Sequence, residues 1–241
     1  MPEAERIEVF ESSNPRTEDL RRDCDVFLRE IYSTKTRHLN CLHARGTVLF
    51  AEGEQTRGVY ILRSGAASVS VSSSDGRVLI VRIARAGDLL GLNSILRSSH
   101  HDTTVRVLEP SCTDFIFRRE FIDLLARSKP VNNAVLRIIS KELADLTERA
   151  KSLLLSQTTS AKLAKLLLEW CEESEQVEVG LVRIDKKFTH EQIAQMIGST
   201  RETVTRLFSG FLRSQTIRIN SGGILIVDPI ILESIAFGTT S

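Results

Sequence analysis

Two helix-start signals ten residues apart constrain this chain more than any other feature in it. Thr189 and Gln192 have capping-box spacing, and so do Ser199 and Glu202. The interval holds one short helix, a turn and the start of a second helix, with Gly198 where that turn needs positive φ. Ile193 and Ile197 supply an apolar face for the first helix. Val204, Leu207, Phe208 and Phe211 do so for the second, and Ala194 is small enough for a close crossing. This is the order of a helix-turn-helix.

The second helix would expose Arg201, Glu202, Thr205 and Arg206 near its N-terminal end, where a recognition helix meets base edges. Arginine donates two bonds to guanine O6 and N7, and glutamate accepts from cytosine N4. Thr200 and Thr203 are placed for phosphate contacts, which position without specifying. Downstream, TIRIN and ILIVD flank Ser-Gly-Gly and read as a hairpin, the wing of a winged helix. A charged helix face is often only solvated. Here caps, turn glycine, crossing residue and wing agree, and the partner predicted is double-stranded DNA. Whole-chain charge is silent, since 32 basic and 31 acidic residues nearly cancel.

The second constraint is a heptad. Leu136, Ile139, Leu143, Leu146, Ala150 and Leu153 recur at alternating intervals of three and four residues. Lys129-Pro130 opens this long helix, which runs to about Gln157. The pattern predicts a dimer seam; the alternative is a helix lying only on its own domain, which carries a wider apolar stripe. Ile138, Leu154 and Leu155 widen the stripe, so packing on the strand domain is expected as well.

Between about Thr36 and Phe117 the segments TVLF, GVYILRSG, ASVSVSS, DGRVLIVRIA, GDLLG, TTVRVLE and TDFIF are short, β-branched and punctuated by glycine. Ala67 to Ser72 alternates strictly, as a half-buried strand does, and Asp75-Gly76 marks a hairpin turn. Strands at this spacing with no helices among them predict an antiparallel sandwich or roll. Leu20, Cys24, Phe27, Leu28 and Ile31 place an amphipathic helix over Arg16 to Thr34 after a loose arm. A helix capped by Ser160 and a small VEVGLVRI hairpin precede the helix-turn-helix. The fold class is therefore α+β. Residues 1–35 form an arm and helix, 36–129 an antiparallel β-roll, 130–157 the dimerisation helix and 158–241 a winged helix-turn-helix.

No stretch has the roughly 18 apolar residues of a spanning helix, and the acidic N-terminus is not a signal peptide. Cys24, Cys41, Cys112 and Cys171 lie far apart, which suits a reducing cytoplasm and argues against disulfides or structural zinc. There is no G-x-S-x-G, phosphate-binding loop or metal-spaced set, so no enzyme is expected.

With these pieces in order, the chain resembles the Crp/Fnr family of cyclic-AMP receptor and fumarate-nitrate regulators over nearly its full length. The resemblance rests on G-x-x-L-F-x-E-G-E (Gly46 to Glu54), GVYILRSG (Gly58 to Gly65), GD-x-x-G (Gly87 to Gly91), the heptad helix and STRETVTR. It implies a cyclic-nucleotide-binding-like sensor roll, a homodimer on a two-fold operator with TGTGA-like half-sites, and RNA polymerase as a further partner. In the cyclic-AMP receptor branch the recognition helix carries an Arg-Glu-x-x-x-Arg set, matched by Arg201, Glu202 and Arg206.

The resemblance fails at the effector. Carried across from GD-x-x-G, the pocket begins at Gly91, its ribose-binding glutamate is Leu92, and its phosphate-clamping Arg-Ser pair is Asp102-Thr103. Leucine cannot bind a ribose, and aspartate repels phosphate, so cyclic AMP is disfavoured although Thr103 and Thr147 match in part. Cys24 alone does not meet the needs of an iron-sulfur cluster. Haem ligation by Cys41 and His43, or by His100-His101, competes with plain surface-loop roles, and Cys112 is a redox thiol or an inert core cysteine. The effector and cofactor stay unassigned. A degenerate sensor, with DNA bound constitutively, is the alternative.

Overall fold

The β-branched segments fold into two facing four-stranded antiparallel sheets, flanked by helices and followed by a smaller helical domain with its own sheet. The computed structural model describes residues 15–34, 36–97, 100–155, 158–172, 174, 176–178, 181–184, 188–220, 223–226 and 228–238. The N-terminal arm, the Gln157 end of the long helix and the wing-turn residues Ser221 and Gly222 lie outside the described residues.

Helix α1 (Pro15–Ser33) leads into β1 (His38–His43), β2 (Val48–Phe50), β3 (Gly58–Ser64), β4 (Ala66–Ser72), β5 (Val78–Arg85) and β6 (Leu89–Leu90). A short helix α2 (Leu92–Arg97) precedes β7 (Thr104–Val107) and β8 (Ser111–Phe117). The expectation of strands with no helix among them is corrected by α2. It is one and a half turns long, too short for a clear periodic signal. β1 also escaped sequence reading, since HLNCLH carries only two aliphatic side chains.

The sheets run β1-β8-β3-β6 and β2-β7-β4-β5. Phe50, Leu62, Val69, Ala84, Leu90 and Val105 fill the space between them. Strands β3 and β8 approach so closely that a Cβ on Gly58 would fall 2.1 Å from the Ile116 carbonyl oxygen. Only glycine fits there.

Helix α3 (Arg118–Arg127) and the first half of α4 (Lys129–Leu155) cover the outer face of the β1-containing sheet together with α1. Phe27 stacks on Phe121 at 6.1 Å, among Val59, Ile61, Ile116, Val131 and Ile138. Full burial of Phe27 and Ile31 contributes roughly 4 kcal/mol to docking α1. Ile138 thus packs on the roll as expected. Leu154 and Leu155 do not: they are 81% and 74% exposed, at the end of α4 beyond the roll's surface.

The C-terminal domain contains α5 (Thr159–Glu172), β9 (Gln176–Glu178), β10 (Leu181–Ile184), α6 (His190–Ile197), α7 (Arg201–Arg213), β11 (Ile217–Asn220), β12 (Gly223–Ile226) and α8 (Pro229–Phe237). Thr158, not Ser160, caps α5, its hydroxyl accepting from Ala161 N at 3.1 Å. The two hairpins expected separately join as one sheet, β11-β12-β10-β9. Helix α8 was not anticipated; Asp228 caps it, and Leu232 and Ala236 bury against the domain core.

This third core includes Ile80 of the roll, because α6 lies on β5. The half-buried reading of β4 is corrected as well. Ser68 pairs with Ile83 and Ser70 with Ile80, and both serines are buried although their alternation predicts a solvated face. Their hydroxyls are satisfied by donating to the Arg106 and Thr104 carbonyls at 3.3 Å.

Candidate nucleic-acid interface and effector cavity

Helix α6 starts with the capping box that its sequence specifies. The Thr189 hydroxyl accepts from Gln192 N at 3.2 Å, and the Gln192 side chain accepts from Thr189 N at 2.9 Å. It ends at Gly198, with φ 63° and ψ 47°, a left-handed conformation that a Cβ would strain. Ala194 is buried at the crossing with α7.

The second start signal sits one residue later than predicted. Thr200, not Ser199, is the N-cap of α7, accepting from Thr203 N at 3.3 Å and donating to the Thr203 hydroxyl at 3.1 Å. The shift leaves the buried face of α7 unchanged, with Val204, Phe208 and Phe211 turned inward. Arg201, Glu202, Thr205 and Arg206 are exposed together, with Thr200 and half-buried Thr203 at the helix start. The Glu202 backbone N–H, as the largest cause, holds the Glu202 carboxyl below the usual glutamate range, so it is an acceptor at neutral pH. Two cations and one anion on the first turns of one helix form a face able to discriminate base edges.

Sequence reading missed His190. Its Nδ1 lies 2.9 Å from the Thr205 hydroxyl, and its ring stacks on Phe208 with centroids 4.9 Å apart. Only the i, i+15 distance between these residues could have hinted at it, and that spacing carries no periodic signal.

The heptad residues of α4 divide by depth. Leu136, Leu143 and Leu146 are exposed, whereas Ile139 is packed partly against the roll and Leu153 is half-buried. Ala150 is exposed as well. Among the described residues, these three large apolar side chains, spaced by seven and three residues on one helix stripe, stay 61%, 66% and 42% exposed.

A cavity of about 320 Å³ opens between the roll and α4. Val69, Val71, Val81, Leu89, Leu90 and Val105 make it apolar, and Gly91, Leu92, Asp102 and Thr103 line it, as do Glu142 and Leu146 from α4. Thr147 is not part of the lining; its hydroxyl turns back onto the Leu143 carbonyl at 2.8 Å.

Leu92 is itself a core residue, only 2% exposed and packed among Leu89 and Ile95. The Asp102 carboxylate accepts from the buried Ser94 hydroxyl at 2.9 Å. Two arginines line the cavity: Arg97 is exposed, and Arg82 is ion-paired at 2.9 Å to Asp88 and at 2.9 Å to Glu142. Asn93 donates to the other Glu142 oxygen at 3.2 Å. Burial pushes the Glu142 carboxyl up against the opposing pull of Arg82.

His101 is not a surface residue. It is 5% exposed, stacked on Phe50 with centroids 3.7 Å apart, and burial lowers its pKa. His43 Nε2 lies within hydrogen-bond distance of the Thr113 hydroxyl, at 2.9 Å. Burial pushes the Cys24 thiol up to about 12, which leaves it inert. Among the described residues, no group of three or more His, Cys, Asp and Glu side chains is arranged to hold a metal. No helix among them is long and apolar enough to cross a membrane.

Comparison with known proteins agrees with this layout. The cyclic nucleotide-binding domain family matches residues 42–128, and the Crp-like helix-turn-helix domain family matches residues 161–235. The chain is 26% identical over 184 residues to a CRP-like cAMP-activated global transcriptional regulator of Mycobacterium tuberculosis, covering 76% of this chain and 82% of that one. It is 28% identical over 191 residues to a global nitrogen regulator of Synechococcus elongatus, covering 78% and 86%. The fold is similar to that of the c-di-GMP responsive global regulator CLP of Xanthomonas campestris, with a TM-score of 0.72 at 16% identity over 86% of this chain and 98% of that one. With both domains in the same order and the long helix between them, the chain belongs to the Crp/Fnr family of transcription regulators.

Proposed function

We propose that this regulator works in the cytoplasm as a homodimer, joined along Leu136, Leu143 and Leu146, and reads a two-fold DNA operator with TGTGA-like half-sites. Arg201, Glu202 and Arg206 meet the bases, while Thr200 and Thr203 meet phosphates. The observation that carries this reading is the joint exposure of those base-reading side chains on the first turns of a helix whose other face is buried. RNA polymerase is the further partner, and no catalysis is assigned.

In this reading the cavity takes a small, largely apolar effector and not cyclic AMP. Asp102 stands where a phosphate clamp is needed, and Arg82 is occupied by Asp88 and Glu142. Coupling to DNA runs through two routes that touch the cavity. The inner face of the β4-β5 hairpin, Val69, Val71 and Val81, lines it, while Ile80 on the other face packs against α6. On the long helix, Glu142 and Leu146 line the cavity, and Arg149 donates to the Met196 carbonyl at the end of α6 at 3.0 Å. These two elements touch both the cavity and α6, and their coupling is a proposal. A second reading, a ligand-free constitutive regulator, is favoured by the same internal pairing of Arg82 and of Asp102 with Ser94.

Fluorescence anisotropy on a duplex carrying TGTGA and its inverted copy, at fixed salt with and without cyclic AMP, tests the proposal. Tight binding independent of the nucleotide, and much weaker on a single half-site, is expected. Binding only with cyclic AMP would overturn the cavity assignment, and binding no tighter than to a scrambled duplex would overturn the operator.

A further inference from the structure

The Thr205 hydroxyl has one hydrogen, and it is spent inside the helix, donated to the Arg201 carbonyl at 2.9 Å. Its contact with His190 Nδ1 at 2.9 Å must therefore have the histidine as donor. His190 is then an Nδ1–H imidazole whose ring is held flat on Phe208, 21° from parallel, and whose proton fills an acceptor position of Thr205. Phe208 is buried in the domain core, so this arrangement is anchored from below. The hydroxyl of an exposed recognition-helix threonine has thereby spent its only donor and one of its two acceptor positions. What Thr205 has free to offer a base is its methyl group and one remaining acceptor.

We propose that Thr205 reads a thymine C5-methyl by apolar contact, and that His190, from the first helix of the motif, is the positioning residue that commits it to this role. A free threonine hydroxyl is promiscuous, because it both donates and accepts, whereas a methyl discriminates thymine from cytosine. The same hydroxyl bond to the Arg201 carbonyl ties the methyl reader to the backbone of the guanine reader, one turn away. The inference rests on the reading of α7 as the recognition helix.

The test starts from the intact protein. Its preferred site is selected from randomised duplexes, and each thymine is then replaced in turn by deoxyuridine, which removes only the methyl. At one thymine per half-site, binding should weaken roughly fourfold, the worth of one methyl withdrawn from water. Thr205→Val, which keeps the methyl and lacks the hydroxyl, should retain that penalty. Thr205→Ser, which does the reverse, should bind the thymine and deoxyuridine duplexes equally. His190→Phe keeps the stack and loses the donor, so its deoxyuridine penalty should shrink; His190→Asn, which restores a donor, should recover it. Equal binding of every deoxyuridine duplex by the wild type, or an undiminished penalty in Thr205→Ser, would overturn the methyl reading. A penalty unchanged in His190→Phe would remove His190 from it. Failure to select any site would instead strike the underlying assignment of α7.

Discussion

Truncating Leu143 to alanine should dissociate the dimer with little effect on the fold of the protomer. Leu143 is 66% exposed on the protomer, and a fully exposed leucine gains roughly 2 kcal/mol on burial. About two-thirds of that is available to a seam, and two-fold symmetry presents the residue twice, for roughly 2.5 kcal/mol per dimer. Alanine retains a little of this, while the void it leaves costs something more. The expected loss is thus about 2–3 kcal/mol, a rise of roughly 30- to 150-fold in the dimer dissociation constant. Sedimentation velocity across a concentration series reads it directly. Leu42→Ala, on an equally apolar and even more exposed residue of β1, is the control and should leave association unchanged. If Leu143→Ala and the wild type associate alike, the heptad of α4 is not the seam.

Gly198→Ala should lower stability by about 1 kcal/mol through the left-handed backbone alone, since its Cβ would meet only Leu79 Cδ1 at 3.9 Å; an unchanged urea midpoint would contradict this. Leu92→Glu should cost about 3 kcal/mol or more, because it puts a carboxylate at a position only 2% exposed, so restoring the family's ribose-binding residue type cannot by itself restore nucleotide binding. A stable Leu92→Glu protein that binds cyclic AMP would refute that. Glu142 holds its proton more tightly folded than unfolded. Its stabilisation is therefore complete below the ordinary glutamate value and is lost as pH rises through the raised one. The melting temperature of Glu142→Gln should gain on the wild type over that interval, and a pH-independent difference would count against it.

Local signals survived translation into structure best where the chemistry is local. The Thr189 box, Gly198 and the α7 periodicity need only neighbouring residues to act, and all three take the form their spacing dictates. The alternation in β4 was legible as a strand but misleading about its surroundings. Alternation reports side-chain direction, whereas the neighbours that Ser68 and Ser70 meet, Ile83 and Ile80 of β5, belong to a strand on which α6 packs from over a hundred residues downstream. Leu92 was readable as a lost ribose ligand, but its place in the core was not, because a short helix of six residues gives no face to infer. Thr147 matched by analogy and yet lies apart from the cavity, since the family pattern fixes type and order but not the turn of α4 that faces the roll. The interlocked pairing of Arg82, Asp88, Asn93 and Glu142 joins residues up to 60 positions apart and left no mark in the sequence.

The base preference of Arg201→Ala, measured by anisotropy on the selected operator and on variants substituted at each guanine, tests the central claim most directly. Affinity should fall roughly 5- to 150-fold, the worth of one bidentate arginine contact, and discrimination should vanish at one guanine per half-site while the other positions keep theirs. Unchanged affinity with unchanged preference at every position would mean that α7 does not read DNA.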